Sequence, residues 1–229
     1  MKREIIFSDV DGTFLDEAGA VPFPAEWLTA IAHAWRVIFA SSRTAAELMT
    51  LQARVGWRDW AIAEDGAVLV SPSGEPEVLG LPRDAIESRA RQAGAWNQVS
   101  GLAPAAFSCR LASVLLPRQV SEAAEFSDFR ARIASADLRC SAGGRWATLT
   151  SGSSKGQAAG VLMSRLDVRG AIAVGNDAND ESLCLGVRRA FVIRNPDGHH
   201  PRLAAVPGAT LLQSPGPQGW REMIGVLQR

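Results

Sequence analysis

Short, almost wholly apolar runs at residues 4–8, 36–40, 60–63, 171–174 and 190–193, with a less marked one at 209–212, punctuate the chain. Runs of this length without polar alternation fit strands buried on both faces. Between them, apolar positions recur at helical spacing over residues 24–34, 44–55, 155–166 and 180–185, and again over 219–227. Strands alternating with helices predict an α/β fold built on a doubly wound parallel sheet.

The middle of the chain breaks that rhythm. From about residue 77 to 150 the pattern gives a helix over 83–95, a strand over 111–116, a helix over 121–134 and a hairpin turning at Ala142-Gly143-Gly144. This is an α+β pattern set inside an α/β one. It predicts a smaller inserted domain over 79–151, bounded by the Pro/Gly/Ser stretch 71–76 and by 151–154, with residues 1–78 and 152–229 forming the core. No internal repeat or low-complexity tract is visible.

Composition narrows the function classes. At 229 residues, 47% hydrophobic and 21% charged, the chain can bury a sizeable core. Its 24 Lys and Arg balance its 24 Asp and Glu, so no overall basic field points to nucleic acid or an anionic membrane. Cys109, Cys140 and Cys184 are scattered and odd in number, which fits reduced thiols better than disulfides or a metal site. With no long apolar segment, a soluble cytoplasmic protein is expected. Its oligomeric state is not legible.

Four clusters follow apolar runs or open helices. In Asp9-Val10-Asp11-Gly12-Thr13, two carboxylates on one turn repel unless a cation or a proton lies between them. Mg2+ is the simplest resolution, because it binds through one or two carboxylates together with phosphate and water. A polar turn or a calcium loop is the alternative, and an EF-hand is disfavoured because a strand precedes the cluster and its ligand series is incomplete. Ser41-Ser42-Arg43-Thr44 enters a helix, where hydroxyls and N–H groups suit an anion. Capping by Ser42, or by Thr44 with Glu47, explains it equally well. Ser153-Ser154-Lys155-Gly156 places a lysine where it could neutralise phosphate, although a solvated lysine is common at such a place. Gly175-Asn176-Asp177-Ala178-Asn179-Asp180 packs four oxygen-bearing side chains onto one turn, which reads as a second group of metal ligands.

In this order the clusters resemble the haloacid dehalogenase superfamily, whose pattern is DxDGT, Ser/Thr, Lys and GDxxND. The segments Ser41-Ser42-Arg43-Thr44-Ala45-Ala46-Glu47, Ala63-Glu64-Asp65-Gly66-Ala67, Gly143-Gly144-Arg145-Trp146, Lys155-Gly156 and Ser214-Pro215-Gly216-Pro217-Gln218-Gly219-Trp220 resemble, more narrowly, those of the mannosyl-3-phosphoglycerate phosphatases. The resemblance implies a Rossmann-like core with an inserted cap. It also implies a Mg2+-dependent phosphatase acting on a small phosphorylated sugar or glycosyl-phosphoglycerate.

By the same resemblance, Asp9 is the nucleophile and Asp11 the general acid and base. Gly12, Thr13, Ser41, Ser42 and Lys155 hold phosphoryl oxygens, and Arg145 on the cap meets an anionic group of the substrate. Asp9, Asp11 through its backbone carbonyl, Asn176, Asp177 and Asp180 supply the metal site. Three departures stand out. Asn176 replaces the family's Asp, so Asp177 is expected to compensate by sharing the ion. The cap is short, with only Arg110-Leu111-Ala112 in place of an Arg-Glu-Tyr-rich segment, and Thr148 stands where the family has His. A phosphosugar mutase, or a phosphometabolite-binding protein that has lost its activity, is the rival reading. His33, His199 and His200 fit no pattern, and the seven tryptophans share no spacing and read as packing.

Overall fold

Along β1 (Glu4–Ser8), Ile5 and Phe7 pack into one helix layer and Ile6 into the other, all of them fully buried. Burial on both faces is what an unalternating apolar strand requires. The computed structural model describes residues 3–103 and 109–229. In chain order the next strands are β2 (Trp35–Ala40), β3 (Ala61–Ala63), β4 (Val68–Val70) and β5 (Pro76–Val78). A separate group follows, β6 (Val114–Pro117), β7 (Arg139–Gly143) and β8 (Trp146–Thr150), and then β9 (Ile172–Gly175), β10 (Arg189–Arg194) and β11 (Thr210–Pro215).

The large sheet runs β11-β10-β9-β1-β2-β3-β4-β5, parallel from β11 to β3 and antiparallel over β4 and β5. β1 sits between β2, which follows it in the chain, and β9, which returns after the inserted segment. The strand order therefore reverses at the C-terminal ends of β1 and β9, the crevice where open α/β sheets take ligands. This is the doubly wound α/β core expected from the sequence.

One helix layer is α1 (Ala25–Ala34), α2 (Ala45–Val55) and α8 (Gly216–Leu227), whose Leu28, Ile31, Leu48, Leu51, Met223 and Ile224 face the sheet. Phe14, Phe23, Phe39, Trp27, Trp57 and Trp220 fill this layer, and Phe14 contacts four other rings with centroids 5.0–5.4 Å apart. Trp220 is fully buried and its Nε1 donates to Ser8 Oγ at 2.9 Å. The opposite layer holds α6 (Lys155–Arg165) and α7 (Glu181–Leu185), through Ala158, Ala159, Leu162, Leu183 and Cys184.

The inserted segment is the α+β unit expected, an antiparallel sheet of order β6-β8-β7. It carries α3 (Arg83–Gln92) and the pair α4 (Gln119–Glu122) and α5 (Ser127–Ser135). Its own core is built on Ile86, Trp96, Val114, Leu116, Phe129, Ile133 and Leu149.

Several boundaries differ from the sequence expectation. The 71–76 stretch is the turn of the β4–β5 hairpin, closed by Ser71 N–H to the Glu75 carbonyl at 3.0 Å, rather than a linker. The helix expected over 121–134 is broken at Ala123, whose ψ of 144° is extended. The strand expected from residue 111 starts at Val114, because the N–H groups of Leu111 and Ala112 donate to the Glu64 carboxylate. The cap hairpin turns one residue later than expected: Gly143 pairs with Trp146, leaving Gly144 and Arg145 as the loop. Gly144 has φ +57°, the left-handed conformation such a tight turn demands.

Trp220→Ala should cost about 3–5 kcal/mol by loss of packing and creation of a cavity. Val161→Ala, at a helix position 37% exposed, should stay within about 0.5 kcal/mol of the parent. Urea denaturation of the three proteins checks both.

Candidate active site

The crevice is organised around a lysine with no exposed surface. Lys155 opens α6, and its Nζ donates to Asp9 Oδ1 and to Asp180 Oδ1, each at 2.7 Å. The helix is fixed there by Ser154, whose Oγ accepts from Gln157 N–H, and by Gly66, which packs against the Ser154 carbonyl so closely that a Cβ would lie 2.2 Å from its oxygen. Asp9 leaves β1 held by its N–H on the Val174 carbonyl at 3.0 Å, and is only 6% exposed. Burial first, then the Asp180 carboxylate, push the Asp9 carboxyl up to about 7 against the opposing pull of Lys155. Burial works against the Lys155 charge as well, but Asp180, Asp9 and Asp65 outweigh it and hold its pKa above the ordinary lysine value.

Asp11 lies at the cavity side of the same turn. Its two oxygens accept from Arg43 Nε at 2.9 Å and Nη2 at 2.7 Å, a bidentate pair with the Asp11 side chain 49% exposed. In the loop after β2, Thr44 takes the cap of α2 with Glu47 completing the capping box. The capping and anion-site readings therefore divide between residues: Thr44 caps, while Ser41 and Ser42 precede the helix. Ser41 is buried, its Oγ accepting from Arg43 N–H at 3.2 Å, and Ser42 lines the cavity. Thr13 Oγ1 is buried with no hydrogen-bond partner among the described residues, and Gly12 lines the cavity.

The turn after β9 differs from expectation. Asp180 is fully buried; besides Lys155, its carboxylate accepts the N–H groups of Asn176 at 3.0 Å and Asp177 at 3.2 Å. It clamps the lysine and the loop. Asn176 Nδ2 donates to Asn195 Oδ1 at 3.0 Å, and Asn195 Nδ2 returns a bond to the Asn176 carbonyl at 2.8 Å. This leaves the Asn176 amide oxygen as the end able to ligate a cation.

Asp177 faces elsewhere. Its Oδ2 accepts from Arg118 Nη1 at 2.7 Å and Gly144 N–H at 2.9 Å, while Oδ1 accepts from Ala178 N–H at 2.7 Å. Burial opposes its charge, yet the Arg118, Ala178 and Gly144 donors hold its pKa below the usual carboxylate value. Where the sequence reading has Asp177 share an ion with Asn176, both of its oxygens are here engaged, chiefly by the inserted domain.

Several residues were given no role by the sequence reading. Glu64 and Asp65 follow β3 with φ of 52° and 54°, and their N–H groups donate to the carbonyls of Arg43 and Ser41. That left-handed turn buttresses the Ser41–Ser42 loop. The fully buried Glu64 carboxylate also accepts from Leu111 N–H, Ala112 N–H and Ser113 Oγ. Arg110, 6% exposed, donates to the Ser42 carbonyl at 2.8 Å and to Ser113 Oγ at 3.0 Å. Burial holds its pKa below the ordinary arginine value despite Glu64, Asp65 and Glu47 nearby. A charged pair beside an apolar strand was the available signal for Glu64 and Asp65; Arg118 and Asn195 carried none, since their partners are distant in sequence.

Asp9, Asp11, Gly12, Ser42, Arg43, Asn176 and Asp177 meet Arg110, Arg145 and Trp146 of the inserted domain around a cavity of about 560 Å3. Arg145 is exposed at its edge. Among the described residues no three His, Cys, Asp or Glu side chains converge as a metal cage. The Asp9 carboxylate, the Asp11 carbonyl and the Asn176 amide are nevertheless hard oxygen donors on adjoining loops. Such a sparse set suits Mg2+, which keeps waters and substrate oxygens in its shell.

No family model matches the chain, and among the described residues no helix is long and apolar enough to cross a membrane. Solved structures share its fold from end to end. A Thermoplasma acidophilum protein superposes with a TM-score of 0.81 at 14% identity, covering 100% of this chain and 99% of that one. The Synechocystis sucrose-phosphatase, solved with sucrose and phosphate, gives 0.72 at 17% identity over 100% and 99%. A haloacid dehalogenase-like hydrolase from Bacteroides thetaiotaomicron gives 0.70 at 16% identity over 99% and 100%. The chain thus has the fold of the haloacid dehalogenase-like hydrolases, a doubly wound core with an inserted α+β cap.

Proposed function

We propose that this protein is a Mg2+-dependent phosphomonoester hydrolase that works through an aspartyl-phosphate on Asp9. The observation carrying this reading is the buried Asp9–Lys155–Asp180 triad at the strand-order reversal, with both Lys155 contacts at 2.7 Å. A carboxylate set beside a buried ammonium at the base of a cavity is arranged to meet a phosphoryl group. The sucrose-phosphatase among the structural neighbours, solved with phosphate and sucrose, supports a small phosphorylated sugar as the substrate class. The mannosyl-3-phosphoglycerate phosphatase motifs narrow the proposal to a glycosyl-phosphoglycerate or a related conjugate.

In the first step an Asp9 carboxylate oxygen forms a bond to phosphorus as the bond to the leaving alcohol breaks, and Asp11 gives that alcohol its proton. Water then attacks the aspartyl-phosphate while Asp11 takes its proton, releasing phosphate and restoring Asp9. Lys155, Ser41, Ser42 and the Gly12-Thr13 turn hold the phosphoryl oxygens. Mg2+ on Asp9, the Asp11 carbonyl and Asn176 would offset charge between nucleophile and phosphate.

Asp9→Asn should abolish phosphate release with the fold intact, and Asp11→Asn should lower kcat about 10²–10⁴-fold. Malachite-green phosphate assays on protein free of contaminating phosphatase check this, and wild-type turnover in Asp9→Asn would refute the covalent route. Arg145→Ala should raise KM for a phosphorylated sugar conjugate while hardly changing that for a small aryl phosphate, which lacks the remote group. Equal loss on both would remove Arg145 from recognition. Restoring the missing negative charge with Asn176→Asp should tighten Mg2+ roughly tenfold, the scale on which changes around a metal site alter affinity. Calorimetric titration measures it, and unchanged affinity would place residue 176 outside the metal shell.

A further inference from the structure

The inserted domain meets the turn after β9 through one side-chain cluster. Arg118, which precedes α4, spans the gap: Nη1 donates both to the Gly144 carbonyl at 2.6 Å and to Asp177 Oδ2 at 2.7 Å, and Nη2 reaches Asp177 Oδ1 at 3.4 Å. Asp177 Oδ2 also accepts the Gly144 N–H at 2.9 Å, and the Arg118 N–H donates to the Arg145 carbonyl at 3.3 Å. The two-residue turn that presents Arg145 to the cavity is therefore gripped on both of its peptide faces. Glu122 braces the guanidinium from α4 at 2.9 Å, and His200 Nε2 lies 3.8 Å from Asp177 Oδ1. The contact is shaped for close approach, since a Cβ on Gly143 would come within 2.5 Å of Asn179 Nδ2.

We propose that Arg118 and Asp177 form a latch that holds the Gly144-Arg145 turn over the cavity, making this pair positioning residues for recognition of the leaving group rather than parts of the metal site. For its substrate consequence the proposal rests on the phosphatase reading; the latch itself does not. Arg118 touches neither Asp9 nor Lys155, and acts through the backbone of Gly144 and Arg145. A side chain presented from a two-residue turn swings widely if the turn loosens, so losing either partner should blur the edge of the cavity that Arg145 forms. Two groups sharing one interaction are also expected to show non-additive losses.

The test compares Arg118→Met, Asp177→Ala and the double variant with the parent. Exchange of the Gly144 amide hydrogen, followed by NMR, should accelerate about tenfold in each single variant and no further in the double. Mg2+ affinity by calorimetry should stay within about twofold in all three. With glucose 6-phosphate and para-nitrophenyl phosphate as probes, the KM ratio of the first to the second should rise about fivefold or more in each variant. If Asp177→Ala weakens Mg2+ about tenfold while Arg118→Met does not, Asp177 is a metal ligand and the latch is overturned. Gly144 exchange that is unchanged, or that accelerates independently in the two variants, overturns it as well. If neither probe is hydrolysed by any of the proteins, the phosphatase reading fails, while exchange and Mg2+ binding still decide the latch.

Discussion

A lysine ammonium with no exposed surface is tolerable only where opposite charge and hydrogen bonds replace the water it has lost. Lys155 meets that demand with Asp9 from the end of β1 and Asp180 from the turn after β9. Because each partner is itself buried, Lys155 cannot move without stranding both carboxylates. The strand ends, the start of α6 and the turn after β9 are thereby fixed to one another at the point where the sheet order reverses. Removing one member of such a group leaves an uncompensated buried charge, a loss of about 3–5 kcal/mol in comparable pairs. The same arrangement that is costly for folding sets an ammonium and a carboxylate side by side, which on the proposed reading are a phosphate-binding cation and the nucleophile.

Around this centre the inserted domain is joined to the core by two polar seams of different character. One is buried: Glu64 takes the N–H groups of Leu111 and Ala112 and the Ser113 hydroxyl, while Arg110 reaches the Ser42 carbonyl. The other is half-exposed, Arg118 against Asp177 and Gly144. Buried, fully bonded networks resist opening because each broken bond exposes a desolvated group, whereas exposed ion pairs contribute little. The first seam therefore acts as the fixed side of the cavity, continuous with the loop carrying Ser41 and Ser42. The second is the side on which small adjustments of the hairpin are cheapest.

The central strands and the helices flanking them were legible because two-sided burial leaves an apolar run that nothing else in the chain imitates, as at Ile5, Ile6 and Phe7. The β4–β5 hairpin was not, because Pro76, Glu77 and Val78 form an exposed edge strand with no apolar pattern. Residues 111–113 read as strand from their apolar character, but their amide hydrogens had a stronger acceptor in Glu64, forty-seven positions away for Leu111. The site divides in the same way. Asp9, Lys155 and Asp180 lie on turns at strand ends or helix starts, and the resemblance in their order marked them as candidates; that they form one buried cluster is visible only in the fold. Asp177 looked like a metal ligand for the same reason, yet its partner is fifty-nine positions away on a cap helix end, and only the fold brings Arg118 to it.

The charges lining the cavity explain why a cation belongs in the reading. Asp9, Asp11, Asp16, Glu17, Glu47 and Asp177 face it, against Arg43, Arg110 and Arg145. Arg43 is committed to Asp11, and Arg110 is buried against Ser113 and the Ser42 carbonyl with Glu64 close by. Lys155 is shared between two carboxylates, and burial first, then the neighbouring Asp180 carboxylate, raises the Asp9 pKa to about 7. A phosphate monoester brings further negative charge to that point. Unless a divalent cation accompanies it, repulsion at Asp9 would oppose the approach that the geometry invites, because like charges this close disfavour joint ionisation. On the proposed reading, Asn176, neutral where a further carboxylate would deepen the imbalance, lessens the repulsion in the metal-free state and for the same reason would weaken the hold on the cation that relieves it.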